Sequence, residues 1–331
     1  MNNQVRLQIV VIVLITMFFF LHSCKKTTIP IVTTMAVTEI TTTTAVSGGE
    51  VTDDGGSDII VKGVCWDISD YPEITNNKSV DGKGTGDFSS NLKDLSPGVS
   101  YYVRAYATND VGTGYGNTVS FTTLNGILFN PQLTYGTVDD IENNTYKTIQ
   151  IGNQTWMAEN LKTTKFNDGT EIPLVEDNNM WSDLFTPGFS WYENDELIHK
   201  SIYGALYNWY AVETEKICPS GWHVPTRGDW SILIDYLGGI NVAGVKLMET
   251  GNEHWNENNN IATNLSGFTA LPGGIRRFDG TFNYKGGYAN WWLATSSSAS
   301  DAWRWYMDYN TTVYETEHDK RYGFSIRCIK D

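Results

Sequence analysis

The chain has 331 residues, with 23 Lys plus Arg against 38 Asp plus Glu, giving a net charge of −15. That acidity argues against a nucleic-acid partner, whose phosphates need basic neutralisation. An apolar fraction of 40% with 18% charged residues supports packed cores, and the length allows two or three domains.

Residues 1–23 read as an export signal. Leu7 to Leu21 is apolar apart from Gln8 and Thr16, and it follows Arg6. The run is shorter than the ~20 residues of a spanning helix and has the length of a signal core. Its end, Leu21-His22-Ser23-Cys24, resembles a bacterial lipobox, although His22 replaces the usual small or apolar residue. The resemblance implies diacylglycerol on the Cys24 thiol, cleavage before Cys24, and a lipoprotein anchored in the outer membrane. Two or three acyl chains anchor stably where one is marginal. Residues 24–32 form a tether.

From 33 to 123, β-formers alternate with turn signals such as Asp53-Asp54-Gly55-Gly56 and Ser96-Pro97-Gly98. No helical period interrupts them, so a small all-β sandwich is expected. Cys65 lies in the alternating stretch Val61 to Trp66 and reads as a small buried hydrophobe. Leu95-x-Pro97-x-x-x-Tyr101-x-Val103-x-Ala105 resembles the immunoglobulin-like fibronectin type III pattern, in which the Tyr hydroxyl bonds upstream backbone. The run from Arg104 to Thr123 is similar to the variety common in Bacteroidetes lipoproteins. Such domains serve as spacers or adhesion modules.

Residues 124–134 carry Asn125-Gly126 and Asn130-Pro131 and read as a linker to a second domain at 135–331. There, Tyr146 to Trp156 predicts two strands joined at Gly152-Asn153. Tyr203 to Tyr210 predicts a short helix. Thr226 to Asp229 has capping-box spacing, and Trp230, Leu233, Ile234 and Leu237 follow at helical intervals up to Gly238-Gly239. Short strands and Gly-rich loops fill the rest, which makes this domain α+β. With Cys24 lipidated, Cys218 and Cys328 share this region and are paired as a disulfide, as an oxidising envelope permits.

Trp156-Met157-Ala158-Glu159-Asn160-Leu161, Cys218 to Thr226, Phe268-x-Ala270-Leu271-Pro272-Gly273-Gly274-x-Arg276, Trp291 to Thr295 and Gly323 to Asp331 together resemble a Fibrobacter succinogenes major paralogous domain. The resemblance implies a distant relation to C-type-lectin-like folds, including formylglycine-generating enzymes and retroelement-diversified ligand-binding proteins. It implies a scaffold carrying a loop-rich binding face.

Enzyme chemistry finds no footing in the sequence. Formylglycine generation needs a second thiol beside Cys328, and glycoside hydrolysis needs two facing carboxylates that 38 acidic residues do not single out. The Glu-Pro-Asn and Gln-Pro-Asp tripeptides of calcium lectins are absent, the five His are scattered, and no metal, cofactor or catalytic residue is expected. The expected function is a non-catalytic envelope lipoprotein binding an extracellular glycan or protein. The alternatives are a structural or adhesion module, or a hydrolase with an unrecognised carboxylate site. Aromatic side chains give rigid contact area for such ligands. The candidate binding residues are Trp291, Tyr306, Asp308, Tyr309, Asn310, Tyr314, Glu315 and His318, in an aromatic and acidic stretch without a visible core period, with Arg276 on a separate turn. Trp222, Trp230 and Trp292 read as core, and Arg327 as an ion-pair partner.

Overall fold

The computed structural model describes residues 26–256 and 259–331; the export signal and Cys24 lie outside the described residues. The chain divides into two units, the first ending at Leu124 and the second starting at Asn125.

In the first unit, alternating apolar residues build eight strands. They are β1 (Ile31–Thr34), β2 (Ala45–Asp53), β3 (Val61–Asp67), β4 (Asn77–Lys78), β5 (Gly86–Leu92), β6 (Ser100–Thr108), β7 (Thr113–Tyr115) and β8 (Val119–Thr122). One antiparallel sheet has the order β1-β2-β5; the other runs β4-β3-β6-β7, with β8 also on β6. Val32, Val51, Phe88 and Leu92 of the first sheet meet Val64, Val103, Ala105 and Phe121 of the second in one core, as in a sandwich. The Tyr101 hydroxyl accepts the Ser96 backbone N–H at 3.0 Å, which forms the expected corner. Cys65 is buried on β3, and burial pushes its thiol up to about 11, so it stays protonated and inert.

The second unit is also mostly β, with five short helices among its described residues. In chain order it runs β9 (Gly136–Asp139), β10 (Thr145–Ile151), β11 (Gln154–Met157), α1 (Asn178–Ser182), β12 (Phe189–Ser190), α2 (Glu196–Tyr203), β13 (Leu206–Tyr207), α3 (Trp209–Glu213) and β14 (Trp222–His223). It continues with α4 (Arg227–Tyr236), α5 (Ile240–Leu247), β15 (Gly273–Arg276), β16 (Phe282–Lys285), β17 (Tyr288–Ser296), β18 (Asp301–Asp308), β19 (Val313–Asp319) and β20 (Ile329–Lys330). The last strand returns to the first ones, in the sheet order β14-β20-β11-β10-β9. β17, β18 and β19 form a separate antiparallel sheet.

Three expectations need correction. Residues 125–134 are no linker: Phe129 and Leu133 pack on the core of this unit, and the Leu128 N–H donates to the buried Glu249 carboxylate at 2.7 Å. The turn pairs there bend a packed segment. The segment Tyr203 to Tyr210 is not one helix, because Gly204 sits at φ 70° and separates α2 from β13. A Cβ at Gly204 would meet the Leu161 carbonyl at 2.5 Å, so only glycine fits this approach. Among the described residues Arg327 pairs with no carboxylate. Its guanidinium, fully buried, donates to Asn160 Oδ1 at 2.9 Å, to the Thr269 carbonyl at 2.7 Å and to the Phe268 carbonyl. Burial lowers its pKa to about 9, and aligned carbonyl dipoles take the place of a counter-ion.

Local signals elsewhere hold. Thr226 and Asp229 make both bonds of the capping box on α4, and Ile151 and Gln154 pair across the Gly152-Asn153 turn. Cys218 and Cys328 are bridged, with Cα atoms 6.0 Å apart.

Candidate ligand-binding cleft

The β17–β19 sheet positions the candidate site, and its register sorts side chains by parity. Across the three strands Trp291 faces Trp305 and Glu315, and Ala289 faces Met307 and Val313. This face lies on the core. Trp230 of α4 stacks on Trp305 at 5.8 Å and tilts against Trp291 at 5.5 Å. The alternate residues are Tyr288, Asn290 and Trp292 on β17, Arg304 and Tyr306 on β18, and Tyr314 and His318 on β19. Trp292 closes the inner end of this second face against Phe324 at 4.4 Å. The remainder is open and bounds a cleft of about 310 Å³.

The cleft is lined by Ile275, Arg277, Tyr284, Tyr288, Asn290, Arg304, Tyr306, His318 and Tyr322. Gly274 lets β15 and β16 meet at its wall, since a Cβ there would lie 2.7 Å from the Asn283 carbonyl and the Lys285 amide nitrogen. Tyr306 is the centre of an aromatic row, 4.9 Å from Tyr314 and 6.2 Å from Tyr288. The Arg304 guanidinium lies 4.4 Å over Tyr306 and 4.8 Å over Phe324. Its Nη1 donates to Asn290 Oδ1, while its Nε is buried without a partner. Among the described residues no carboxylate pairs with it. Burial holds its pKa down at about 10. Burial, reinforced by Arg304, lowers His318 to about 4, so this imidazole is neutral at neutral pH.

Of the residues singled out from sequence, Tyr306 and His318 line the cleft and Tyr314 flanks it. Asp308 ends β18, where its carboxylate accepts the Asn310 backbone N–H at 2.9 Å; Tyr309 and Asn310 form the turn itself. Glu315 points to the opposite face, where Arg227 holds it by two bonds of 2.7 and 2.8 Å. Trp291 is a correction: it is 1% exposed, and its indole N–H donates to Asn160 Oδ1 at 3.0 Å. Arg276 is another. It is fully buried, donates to the Val175, Glu176 and Gly280 carbonyls, and lies 4.3 Å over Trp181. Its neighbour Arg277 reaches the cleft instead. Arg304, Tyr288 and Asn290 are not among the residues that the sequence singles out; the strand register places them on the open face.

A second recess, of about 370 Å³, lies beside the disulfide. There His223 sits 2.6 Å from Asp331 and 3.5 Å from Asp229, and Asp229 closes the α4 cap. Among the described residues no group of three His, Cys, Asp or Glu side chains is placed to hold a metal, and no helix is long and apolar enough to cross a membrane.

Comparison with known proteins gives one family. No curated protein sequence matches the chain. Among solved structures, the sensor domain of the anti-sigma factor RsgI4 in Pseudobacteroides cellulosolvens is 21% identical, covering 30% of this chain and 97% of that one at a TM-score of 0.24. The sixth fibronectin type III domain from human fibronectin type III domain containing protein 3 is 26% identical, covering 30% of this chain and 85% of that one at a TM-score of 0.22. The model of the Fibrobacter succinogenes major domain matches residues 149–330, which takes in the cleft, both halves of the disulfide and the buried Arg327. With more than half of its length matched, the chain belongs to the Fibrobacter succinogenes major domain family.

Proposed function

We propose that this protein is a non-catalytic binding module of the cell envelope, and that the cleft on the β17–β19 sheet receives an extracellular glycan. The observation that carries this reading is the open face itself: a concave aromatic row on a sheet whose other face is locked into the core. The cleft volume of 310 Å³ falls at the small end of the range for ligand pockets, about 300–1,000 Å³. Tyrosine rings offer flat apolar area with a polar tip, which suits the faces and hydroxyls of sugar rings. None of the nine lining residues is acidic, which supports binding over glycoside hydrolysis, a reaction that needs two carboxylates flanking the bond.

In this reading the second unit is a C-type-lectin-like domain. Its last strand, β20, joins the early strand β11 where Trp156 pairs with Ile329, and the disulfide closes the same end. The sandwich acts as a spacer, and lipid on Cys24 holds the protein at the outer membrane. A glycan array probed with the purified chain and with its Tyr306→Ala variant tests the function. Glycan signals that vanish in the variant are expected. Signals unchanged in the variant, or capture of proteins alone, would remove the glycan reading. Carbonate-resistant membrane association that is lost in Cys24→Ala tests the anchor.

A further inference from the structure

We infer that the cleft selects acidic sugars, with Arg304 and Arg277 receiving a uronate carboxylate while the tyrosine row stacks on the ring. The inference rests on the cleft being the glycan site and adds the charge of the ligand.

The fold leaves the Arg304 guanidinium short of partners among the described residues. Arg276 and Arg327 show what this unit does with a buried guanidinium committed to structure. Each donates with all three nitrogens, to backbone carbonyls and, for Arg327 Nε, to the Asn160 side-chain oxygen, and each stacks on an aromatic ring. Arg304 has the stacking, but among the described residues its single acceptor is Asn290 Oδ1 and its Nε is buried and unpartnered. Arg277 stands at the mouth of the same cleft, and its Nε likewise has no hydrogen-bond partner; the nearest carboxylate oxygen, on Asp279, is 3.9 Å away. Two cations therefore face a recess with no acidic lining residue, in a chain that is otherwise strongly acidic. A buried cation without an anion carries a desolvation cost that a bound anion offsets.

A planar fork of donors matches a carboxylate, and it is a stronger and more directional partner than a sugar hydroxyl. Tyr306 lies directly beneath the guanidinium, so an anion on Arg304 brings the attached ring alongside Tyr306 and Tyr288. His318, which also lines the cleft, is neutral at neutral pH and adds no charge of its own, and the Asp308 carboxylate opposite Tyr288 is engaged by the backbone N–H and side-chain amide of Asn310. A peptide carboxylate would satisfy the same fork. The row of tyrosines across a small cleft favours the flat face of a sugar over an extended chain.

The test is calorimetric titration of the purified chain with oligogalacturonate and oligoglucuronate, each beside the neutral oligosaccharide of the same linkage, and with an acidic peptide. At low salt at least one uronate should bind about tenfold or more tighter than its neutral counterpart, the size of one charge-assisted hydrogen bond. High salt should shrink that preference. Arg304→Gln should abolish the preference while weak binding of both sugars persists, and Arg277→Gln should reduce it. If Arg304→Gln melts, Arg304→Lys, which keeps charge but loses the fork, and the more exposed Arg277→Gln carry the test. Equal affinity for charged and neutral sugars, with both lost in Tyr306→Ala, would overturn the acidic selection and leave the cleft as the site. Binding that survives Tyr306→Ala would remove the cleft reading itself. A preference that persists in the Arg304→Gln, Arg277→Gln double variant, binding of the peptide alone, or binding of no uronate overturns the inference.

Discussion

The two faces of the β17–β19 sheet are drawn from the same strands and share an aromatic composition, yet they have opposite fates. On the closed face Trp291, Trp305, Met307 and Val313 are 5% exposed or less, and both tryptophans pack on Trp230 of α4. On the open face, Tyr314 is 36% exposed beside the cleft. Tryptophan fills the closed side and, as Trp292, the buried inner end of the other, where bulk fills volume and one N–H needs one partner; tyrosine takes the open part, where a polar tip meets water. The difference shows that position along a strand, counted in twos, decides what an aromatic residue does here. Composition does not.

Replacing one aromatic residue on each face tests this contrast most strongly. Trp291→Ala removes a fully buried indole and leaves Asn160 Oδ1 with one fewer donor. It should cost about 3–5 kcal/mol of unfolding free energy, read by urea denaturation. Tyr306→Ala, one strand over and of opposite parity, should cost only about 1 kcal/mol while glycan affinity falls about tenfold or more. Comparable stability losses in the two variants would mean that the open face is core as well.

Part of this contrast is readable from the sequence and part is hidden by its chemistry. Thr226 to Leu237 announces α4 because a cap and an apolar stripe lie within one short window, and Tyr101 announces its corner for the same reason. The stretch from Trp303 to Tyr306 conceals its period, because aromatic residues occupy both parities and hydrophobicity alone cannot separate Trp305 from Tyr306. Arg276 and Arg327 were misplaced because arginine is rarely fully buried unless paired. Their partners are backbone carbonyls from residues 175–280 and, for Arg327, the Asn160 side chain, set by the fold and invisible in any local pattern. Phe129 and Leu133 were lost among turn signals that mark bends as readily as boundaries.

The open face also carries an acid sensitivity. His318 is held at about 4 against an ordinary value of 6.5, mainly by burial and then by Arg304. Its native form binds fewer protons than the unfolded chain between those values. Stability is therefore full above about pH 6.5 and declines as pH falls towards about 4. His318 is only partly buried, so its share is on the order of 1 kcal/mol after allowance for solvent screening. Melting temperature followed from pH 7 to 4 should fall less steeply in His318→Gln than in the parent. Identical slopes would show that His318 is free to protonate, and that the cleft is wetter than its packing indicates. His199, also held at about 4 by burial, contributes the same sign from outside the sheet and remains in both proteins.

Glu315 gives the smallest effect and the sharpest test of parity. It lies between Tyr314 and Thr316, both on the open side, yet it points the other way and is gripped by Arg227. Arg227 in turn lies 4.0 Å over Trp303, so the pair closes the rim of the core face. The arginine is half exposed, which keeps the pair in the range of surface ion pairs, about 0.2–1 kcal/mol. Glu315→Gln should lower stability by no more than that, with the loss shrinking in high salt as both charges are screened. Affinity for any cleft ligand should be unchanged, although the neighbouring Tyr314 borders the site. If Glu315→Gln weakens binding as Tyr306→Ala does, the side chain reaches the cleft in solution. The assignment of β19 residues to alternate faces would then fail along with the placement of Tyr314 and His318.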